Sequence, residues 1–430
     1  MSRLILAALI LAAIAAPTRA EEAAPARFFI EKIEVRDAHR ASPDLIKAET
    51  LLHEGAEYSE ADLKAASARL TRLPFLLSAD FALTKGSDRG RMVLVITVVE
   101  TKPFFFLLDV RPTLWDDSRR TVDYEVDPIS DSADAAFGFR TFVGGRGIVH
   151  VGATARRDRH AFTTDYSSWA VGYTRYDLFG TRAFATINLR LPFDSPAGGS
   201  ISPQIVAGIP LTANQTLTVD YEDTHFRDDT ITVLDTDFHR QDSERLMSLA
   251  WTFNTTNEPF VPTRGSIYRV AALRSMRDRA GFHFTHAIPG PPPDPYAQHI
   301  NGNAIDLTAM RYWELNERDS VSAGILGGWA TVEDTLDPPG FRAPVVAWKP
   351  TYAIVRGGYS RSLWKGDAKN GDSRIEVGAR FVARQRNVSR GRAAFGSTPD
   401  DESVFQTSAS WVRRSAWGTL RLGAGYSWGH

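Results

Sequence analysis

The residues with the clearest potential for chemistry form one short motif near the C-terminal end of the sequence. It consists of five consecutive residues, Val355, Arg356, Gly357, Gly358 and Tyr359. A guanidinium group is a rigid fork of donors that suits a carboxylate, and the two glycines permit a close backbone approach that side chains would block. Glu376, on the polar face of the next alternating segment, is the candidate carboxylate. Arg356 could therefore hold its segment to a carboxylate, with Tyr359 packing beside it.

A second motif has the composition of a chain reversal and consists of Pro262, Thr263, Arg264 and Gly265. Proline restricts its own φ angle, and glycine adopts backbone conformations that other residues avoid. These four residues are therefore predicted to close a tight turn between two strands.

Catalytic chemistry has little support in the sequence. A hydrolase would need a nucleophile, a base and a group that orients the base, and no carboxylate is recognisably placed beside His283 and His286. The absence of cysteine excludes disulfides and thiolate metal sites, and the acidic stretches at residues 223–237 and 333–340 lack EF-hand spacing. We therefore expect no catalytic residue, no bound metal and no cofactor, with a hydrolase as the less favoured alternative.

The composition limits the classes of protein that could carry these motifs. The chain has 430 residues with 50 Lys and Arg against 51 Asp and Glu, so it lacks the basic excess that supports nucleic-acid binding. Hydrophobic residues make up 43% and the mean hydropathy is −0.23, which excludes a bundle of helices that each need about 20 consecutive apolar residues. A soluble multidomain protein or a membrane β-barrel remains.

Residues 1–20 have the features of an export signal peptide. An apolar run from Leu4 to Ala16 follows Arg3, and the small residue Ala20 offers a cleavage site. The run is too short to span a bilayer. We therefore predict cleavage after Ala20 and export from the cytoplasm, with a buried core helix as the alternative.

Residues 28–102 change pattern several times, as in a small α+β domain. Ile33 and Val35 alternate with charged residues, which is typical of a strand with one buried face. Ser42 and Ser59 each have the sequence context of a helix N-cap, and Gly55 is predicted to end the first helix. Two more strands follow, so the predicted order is β-α-α-β-β.

Residues 103–430 alternate between apolar and polar side chains and have no helical periodicity. Alternation alone fits either a soluble β-sandwich with its polar face outside or a membrane barrel with its polar face in the lumen. The barrel is favoured by the arginine and glutamate residues on the polar face and by aromatic residues at predicted strand ends, among them Trp169, Tyr176, Tyr312, Trp313 and Trp329. Strands of about 10 residues would make a transmembrane antiparallel barrel of about 16 strands, or fewer.

Five segments resemble the BamA/TamA-type superfamily of bacterial outer-membrane insertases and surface antigens. Residues 28–102 are similar to a POTRA domain, the periplasmic module of these proteins. Residues 176–180 resemble an early hairpin, residues 251–265 a strand-turn-strand segment, residues 355–359 the tip of the long sixth extracellular loop, and residues 371–381 the strand after it. The resemblance implies a latch, in which Arg356 would tie that loop to Glu376 on the wall of a water-filled lumen. The alternatives are an unrelated α+β domain at residues 28–102 and an ordinary barrel strand at residues 355–359.

The resemblance implies a location and an activity. The chain would be an outer-membrane barrel at residues 103–430 with its POTRA-like domain in the periplasm. It would assist the assembly, insertion or translocation of other proteins without a cofactor. Its partners would be outer-membrane lipid, client outer-membrane or secreted proteins and a periplasmic protein that binds the POTRA-like domain, but no nucleic acid. A passive pore without insertase activity is the alternative.

Overall fold

A computed structural model describes most of the chain, namely residues 27–110, 113–116, 132–158, 166–192, 200–233, 236–258, 261–280, 297–337, 346–365, 372–388 and 401–429. The predicted signal peptide and the region of His283 and His286 lie outside these residues. Within the described part, no helix combines the length and the apolar character needed to cross a membrane.

The N-terminal domain contains four strands and two helices. They are β1 (Arg27–Arg36), α1 (Pro43–Thr50), β2 (Ala56–Ser59), α2 (Glu60–Thr71), β3 (Leu76–Lys85) and β4 (Arg91–Glu100). The sheet has the order β2-β1-β4-β3, with β1 and β4 parallel and the other pairs antiparallel. The predicted β-α-α-β-β order is confirmed, and the short strand β2 is an addition to it.

Local side-chain hydrogen bonds define the ends of both helices. The Ser42 hydroxyl accepts from the Asp44 amide at 3.2 Å, and Ser59 and Asp62 form a reciprocal capping box at the start of α2. Helix α1 ends earlier than predicted, because Leu51 adopts a left-handed conformation with φ 61°. Gly55, the predicted end, instead lies in the turn into β2, with φ +84°.

The two helices bury their apolar sides against the sheet and against each other. The side chains at the centre of this core are fully buried and include Ile30, Ile33, Leu45, Ile46, Leu70, Leu94 and Ile96. Burying an aliphatic side chain of this size stabilises a fold by about 1.5–3 kcal/mol. The apolar positions that the sequence pattern assigned to strands and helices therefore form one core.

The rest of the described chain is a large antiparallel meander. Its strands are β5 (Phe104–Val110), β6 (Thr113–Asp116), β7 (Ser132–Val143), β8 (Gly147–Asp158), β9 (Tyr166–Arg175), β10 (Phe184–Pro192), β11 (Ser200–Thr212), β12 (Gln215–Val233), β13 (Thr236–Asn254), β14 (Gly265–Ala280), β15 (Ala297–Glu314), β16 (Asp319–Asp337), β17 (Val346–Lys365), β18 (Asp372–Val388), β19 (Asp401–Ser415) and β20 (Gly418–Gly429). Because β5 and β6 occupy one position, the described residues form a closed barrel of 15 strands.

The odd strand number makes the closing pair parallel. Every other pair of neighbouring strands in the barrel is antiparallel. Strand β20 runs parallel to β5, from Gly418 beside Phe106 to Leu422 beside Val110, and parallel to β6 from Gly425 to Ser427. Gly418 has φ +149°, and a Cβ atom there would lie 1.8 Å from the Phe106 carbonyl oxygen. Only glycine allows this approach, so Gly418 is needed where the barrel closes.

The barrel exposes its apolar face outward and encloses its polar face. Val219 and Leu249, paired across β12 and β13, are 51% and 50% exposed on the outside. On the inside, the Gln204 amide donates to Asp220 at 3.1 Å, and Arg190 pairs with Glu222 at 3.2 Å. An exposed apolar surface that runs around a whole sheet is suited to lipid and not to water, which decides for the transmembrane barrel and against the sandwich.

The aromatic residues predicted at strand ends fall into two groups. Trp169, Trp313 and Trp329 are exposed on the outer surface, as a membrane-interface girdle requires. Tyr176 is instead buried below the barrel, and Tyr312 alternates with Trp313 and therefore faces the lumen. The prediction is wrong for these two tyrosines because it did not assign side chains to a face.

Candidate functional site

The N-terminal domain and the barrel share one hydrophobic core at one end of the barrel, which we call the domain end. Phe75, just after α2, packs edge-to-face on Phe142 of β7 with ring centroids 5.1 Å apart, and on Tyr176 after β9 at 5.6 Å. Ile148 of β8 belongs to the same buried cluster as the domain core. Aromatic pairs of this geometry contribute about 0.5–1.5 kcal/mol each beyond their burial, so the junction is a packed interface.

The hairpin between β9 and β10 is shaped to make this contact. Asp177 and Phe179 both have positive φ angles, 58° and 54°, which are uncommon for residues other than glycine. The Asp177 carboxylate pairs with Arg146 of the neighbouring turn, and the conformation directs Tyr176 into the junction. Burial raises the pKa of the Tyr176 hydroxyl, which therefore stays protonated at physiological pH.

Arg72, at the C-terminal end of α2, joins two barrel turns to the domain. Its guanidinium donates to the Ala213 carbonyl at 2.8 Å and to the Thr256 carbonyl at 3.1 Å. Burial lowers the pKa of Arg72 to about 10, so the side chain remains charged near neutral pH. These turns connect β11 to β12 and β13 to β14, and the contacts therefore extend well around the barrel rim.

Backbone hydrogen bonds add two more points of attachment. The Ser42 amide donates to the Gly145 carbonyl at 3.1 Å, and the Lys102 amide donates to the Ala416 carbonyl at 2.9 Å. The first bond reaches the β7–β8 turn and the second reaches the β19–β20 turn. The domain is thus held at several separated points of the rim, as a fixed part of the barrel mouth.

The predicted turn motif closes a longer connection than expected, between β13 and β14. The Asn257 side chain folds this connection by accepting from the Thr263 amide at 3.1 Å and donating to the Thr263 hydroxyl at 3.0 Å. Gly265 has φ +100°, and a Cβ there would lie 2.3 Å from the Thr255 carbonyl oxygen. Pro262 and exposed Arg264 complete the connection, so the reversal is present but side chains shape it.

The same connection links the N-terminal domain to the barrel wall. Its Thr256 carbonyl binds Arg72 of the domain, and its Glu258 carboxylate pairs with Arg414 near the end of β19. Both partners of that ion pair are largely buried. The turn motif therefore belongs to a connection that contacts both the N-terminal domain and β19. Its sequence alone did not predict these contacts.

The five residues of the predicted latch lie within strand β17, which is the ordinary-strand alternative and not a loop tip. Val355 and Tyr359 face outward, whereas Arg356 and Gly358 face the lumen. Arg356 Nε donates to the thioether sulfur of Met310 at 2.8 Å. The strand assignment arises because the alternation of apolar residues continues through the motif.

The structure does not bring Arg356 and its predicted partner Glu376 together. Glu376 pairs across the strands with Ser360, and its carboxylate lies 3.2 Å from the Arg421 guanidinium of β20. Among the contacts of the described residues, no ion pair joins Arg356 to Glu376. Arg356 is thus a lumenal residue of the barrel wall, and the latch role has no support in its contacts.

The junction residues Arg72, Phe75 and Tyr176 were not predicted as functional from the sequence. Phe75 follows Pro74 directly after a helix, and an apolar residue at such a position is the one signal that could have drawn attention to it. Its partners are more than 60 residues away along the chain. No local pattern identifies such partners.

Comparisons with known proteins found similarity at the level of solved structures. BamA from Haemophilus ducreyi lacking POTRA domains 1–3 is 14% identical with a TM-score of 0.38, covering 93% of this chain and 81% of that one. CdiB from Escherichia coli is 10% identical with a TM-score of 0.43, covering 93% and 73%. OmpT, an outer membrane protein of Vibrio cholerae, is 10% identical with a TM-score of 0.35, covering 76% and 97%. No protein-family model and no curated protein matches the chain.

Proposed function

We propose that this protein is an outer-membrane barrel that assists the assembly, insertion or translocation of other proteins, with its domain end in the periplasm. The observation that carries the proposal is the N-terminal domain, a sheet with free edges that a shared core holds at the barrel mouth. A passive pore has no need of such a module. The activity requires binding and positioning of a polypeptide, and neither a catalytic residue nor a cofactor.

Strand β3 is the proposed binding edge for an extended client segment. It is the longer of the two outer strands of the domain sheet, with ten residues against four in β2, so its free edge can accept a strand by β-augmentation. Phe75, which directly precedes β3, packs under the barrel. A client strand added to this edge would therefore start next to the mouth of the barrel.

The seam between β5 and β20 is the proposed place where a client strand meets the membrane. Five parallel pairs join β20 to β5 between Gly418 and Leu422, and three more join it to β6 between Gly425 and Ser427, with an irregularity there. On the other side of β20, β19 pairs along its whole length in antiparallel fashion. Parallel pairing is slightly less stable for each residue than antiparallel pairing. The seam is thus the interface at which the barrel would separate most readily and offer strand edges to a client.

Depletion of the protein in its native host tests this proposal. We expect selected outer-membrane or secreted proteins to decrease, and to be restored by the wild-type chain but not by a variant lacking residues 28–102. A photo-crosslinker on exposed β3 positions should capture those same clients. Unchanged levels of all envelope proteins after depletion would contradict the proposal.

A passive pore is the second candidate, because charged side chains line the lumen. Arg190 with Glu222, and Arg421 with Glu376, are lumenal ion pairs of a kind that sets ion selectivity in a channel. The two functions predict different effects of deleting residues 28–102. Equal growth and equal solute uptake in cells carrying the wild-type or the deleted protein would favour the pore, whereas loss of client proteins at unchanged single-channel conductance would favour assembly.

A further inference from the structure

Two arginines lie on the outer face of the barrel on neighbouring strands. Arg245 shares its face of β13 with Met247, which is 42% exposed, and Arg274 shares its face of β14 with Val270, which is 43% exposed. Arg274 is the direct cross-strand partner of Met247, two residues from Arg245. The two arginines are therefore diagonal neighbours, with Cβ atoms about 7–8 Å apart.

The arginines lie at the level where a lipid-facing apolar band ends. Counted from the domain end, Arg245 is the tenth residue of β13 and Arg274 is the tenth residue of β14. Strands rise about 3.4 Å per residue and tilt by about 35–45° in a membrane barrel, which places both arginines roughly 22–25 Å from the domain end. The apolar band of such barrels is about 25 Å tall. Trp329, which is 47% exposed on the outside, is the eleventh residue of β16 from the same end and marks the same level.

The protein compensates the charge of these two arginines only in part. The exposed side chain of Arg274 makes no ion pair and no hydrogen bond with any residue that the structure describes. Asp278, on the same face of β14, pairs instead with His299 at 2.7 Å. Arg245 is 47% exposed, and its ion pair with Asp223 is long at 3.9 Å. Both guanidinium groups are therefore accessible to an anion at the membrane boundary.

Asn303 of β15 adds an amide to this surface. It is exposed and is the direct cross-strand partner of Arg274, and its side chain forms no hydrogen bond within the described part of the chain. Guanidinium and amide N–H groups donate to phosphate oxygens, and the charged donors bind them most strongly. Met247 and Val270 lie between these donors and the apolar band. The surface thus combines donors for an anion with an apolar side suited to acyl chains.

We propose that Arg245, Arg274 and Asn303 bind the phosphate of a lipid headgroup in the leaflet away from the domain end. One phosphate accepts from both guanidinium forks, and the acyl chains of the same lipid lie on Met247 and Val270. A free phosphate ion would lack these apolar contacts, so the occupant is a lipid. The proposal rests on the lipid-facing outer surface of the barrel and does not depend on the assembly function.

Thermal unfolding of the full chain in micelles of a neutral detergent tests the site, with dioleoyl phosphatidic acid as the probe. In low-salt buffer, phosphatidic acid should raise the melting temperature of the wild type. Dioleoylglycerol, which has the same acyl chains but no phosphate, should not, and neither should inorganic phosphate at the same concentration. Equal stabilisation by the two lipids, or by phosphatidic acid and inorganic phosphate, would overturn the proposal.

Substitutions assign the response to the two arginines. Arg274→Gln should bind phosphatidic acid about tenfold more weakly, because one charged donor is lost. Arg245→Gln should also weaken binding, and Arg274→Lys should keep part of the response. Heat-modifiable migration on gels verifies that each variant is folded. A folded Arg274→Gln protein that responds as strongly as the wild type would exclude the site.

Arg36→Gln is the matched control, because Arg36 is an exposed arginine of the N-terminal domain whose ion pair with Glu34 is long at 3.5 Å. It removes the same charge from a part of the chain that does not face lipid. This variant should therefore keep the full response to phosphatidic acid. Equal loss of response in Arg36→Gln and Arg274→Gln would make the effect one of net charge, and the proposal would be wrong.

Discussion

Arg72 illustrates how one side chain can join two folded units. Its guanidinium satisfies two carbonyl groups that belong to different barrel turns, at Ala213 and Thr256. A charged donor is suited to this because it can serve both acceptors from one buried position. Arg72 belongs to the N-terminal domain, and both of these hydrogen bonds connect that domain to the barrel.

Replacing Arg72 by methionine should destabilise the protein, because hydrogen bonds that involve a charged group contribute about 1.5–3 kcal/mol each. Methionine keeps an apolar stem, so the change isolates the guanidinium. The measurement is urea-induced unfolding of the full chain in micelles. Arg264→Met is the control, since Arg264 is exposed and its ion pair with Glu314 is long at 3.9 Å. A surface substitution of this kind changes the free energy of unfolding by no more than about 0.5 kcal/mol. Similar losses in the two variants would contradict the role of Arg72.

The capping-box residue Asp62 should make the stability of the N-terminal domain depend on pH. Hydrogen bonds from the Ser59 amide and hydroxyl lower the pKa of Asp62 below its usual value. The ionised carboxylate is therefore favoured in the folded state, and its contribution is present above the unfolded pKa and disappears as the pH falls through the folded pKa.

Asp62→Asn should remove this pH-dependent contribution and lower the stability of α2 near neutral pH, because a neutral amide is a weaker acceptor than a carboxylate for the Ser59 amide and hydroxyl. Hydrogen exchange of the α2 amides in the full chain, measured between pH 6 and pH 3, is the suitable experiment. We expect protection to decrease with acid in the wild type and to depend less on pH in the variant. Parallel pH profiles would argue against the capping box as the cause.

Alternation along the strands has a direct energetic consequence at the level of secondary structure elements. Adjacent residues of β12 face different solvents, since Val219 is exposed outside and Thr218 lies on the lumenal side. The same substitution should therefore have opposite consequences at neighbouring positions.

Val219→Arg should cost about 2–4 kcal/mol if this position lies near the bilayer midplane, because a charge there meets hydrocarbon. Thr218→Arg should cost less, because its side chain lies on the lumenal side and does not meet hydrocarbon. Folding into lipid vesicles at increasing urea concentration gives both values. If the two variants lost equal stability, the assignment of the outer face to lipid would be wrong.

The closing seam depends on a single glycine. Gly418→Ala would place a methyl group against the Phe106 carbonyl, so β5 and β20 should separate at their domain end. Lower resistance of the folded band to heat, or increased conductance, would report this change. Gly357→Ala is the control, since a Cβ at Gly357 meets only the Ser322 carbonyl oxygen at 3.6 Å. Unaltered heat resistance in Gly418→Ala would mean that the seam does not need the close approach.

At the scale of the whole molecule, the shared core predicts that the N-terminal domain does not swing away from the barrel. Ser42 lies close to the β7–β8 turn: a Cβ atom added at Gly145 would be 3.0 Å from the Ser42 Cβ. Cysteines at both positions, in a chain that has none of its own, should form a disulfide after a small backbone adjustment.

The oxidised Ser42→Cys, Gly145→Cys protein should support client assembly as well as the reduced protein does. Rescue of a depletion strain under oxidising and reducing conditions is the measurement, and each single-cysteine variant is the control. Loss of rescue only in the disulfide-bonded form would show that the domain has to move. The fixed arrangement would then be one state of a moving domain.

The sequence alone determined the features that depend on neighbours along the chain. Alternation at residues 185–191 and 374–381 predicted strands with one apolar face, and Ser42 and Ser59 predicted the helix starts, because capping and side-chain direction are local effects. Strand length was less certain from such patterns. The observed strands reach 20 residues, as in β17, and the barrel has 15 of them. The prediction assumed strands of about 10 residues and therefore gave about 16.

Only the tertiary structure decided which distant residues meet. The pairing of Arg356 with Arg380, the packing of Phe75 on Tyr176 and the parallel seam all follow from strand register and barrel closure. A shift of register by one residue would exchange the two faces of a strand, and no local pattern specifies which register is reached. Arg356 and Glu376, the predicted latch partners, lie in different rows of the barrel wall, since Arg356 is opposite Arg380 and Glu376 is opposite Ser360.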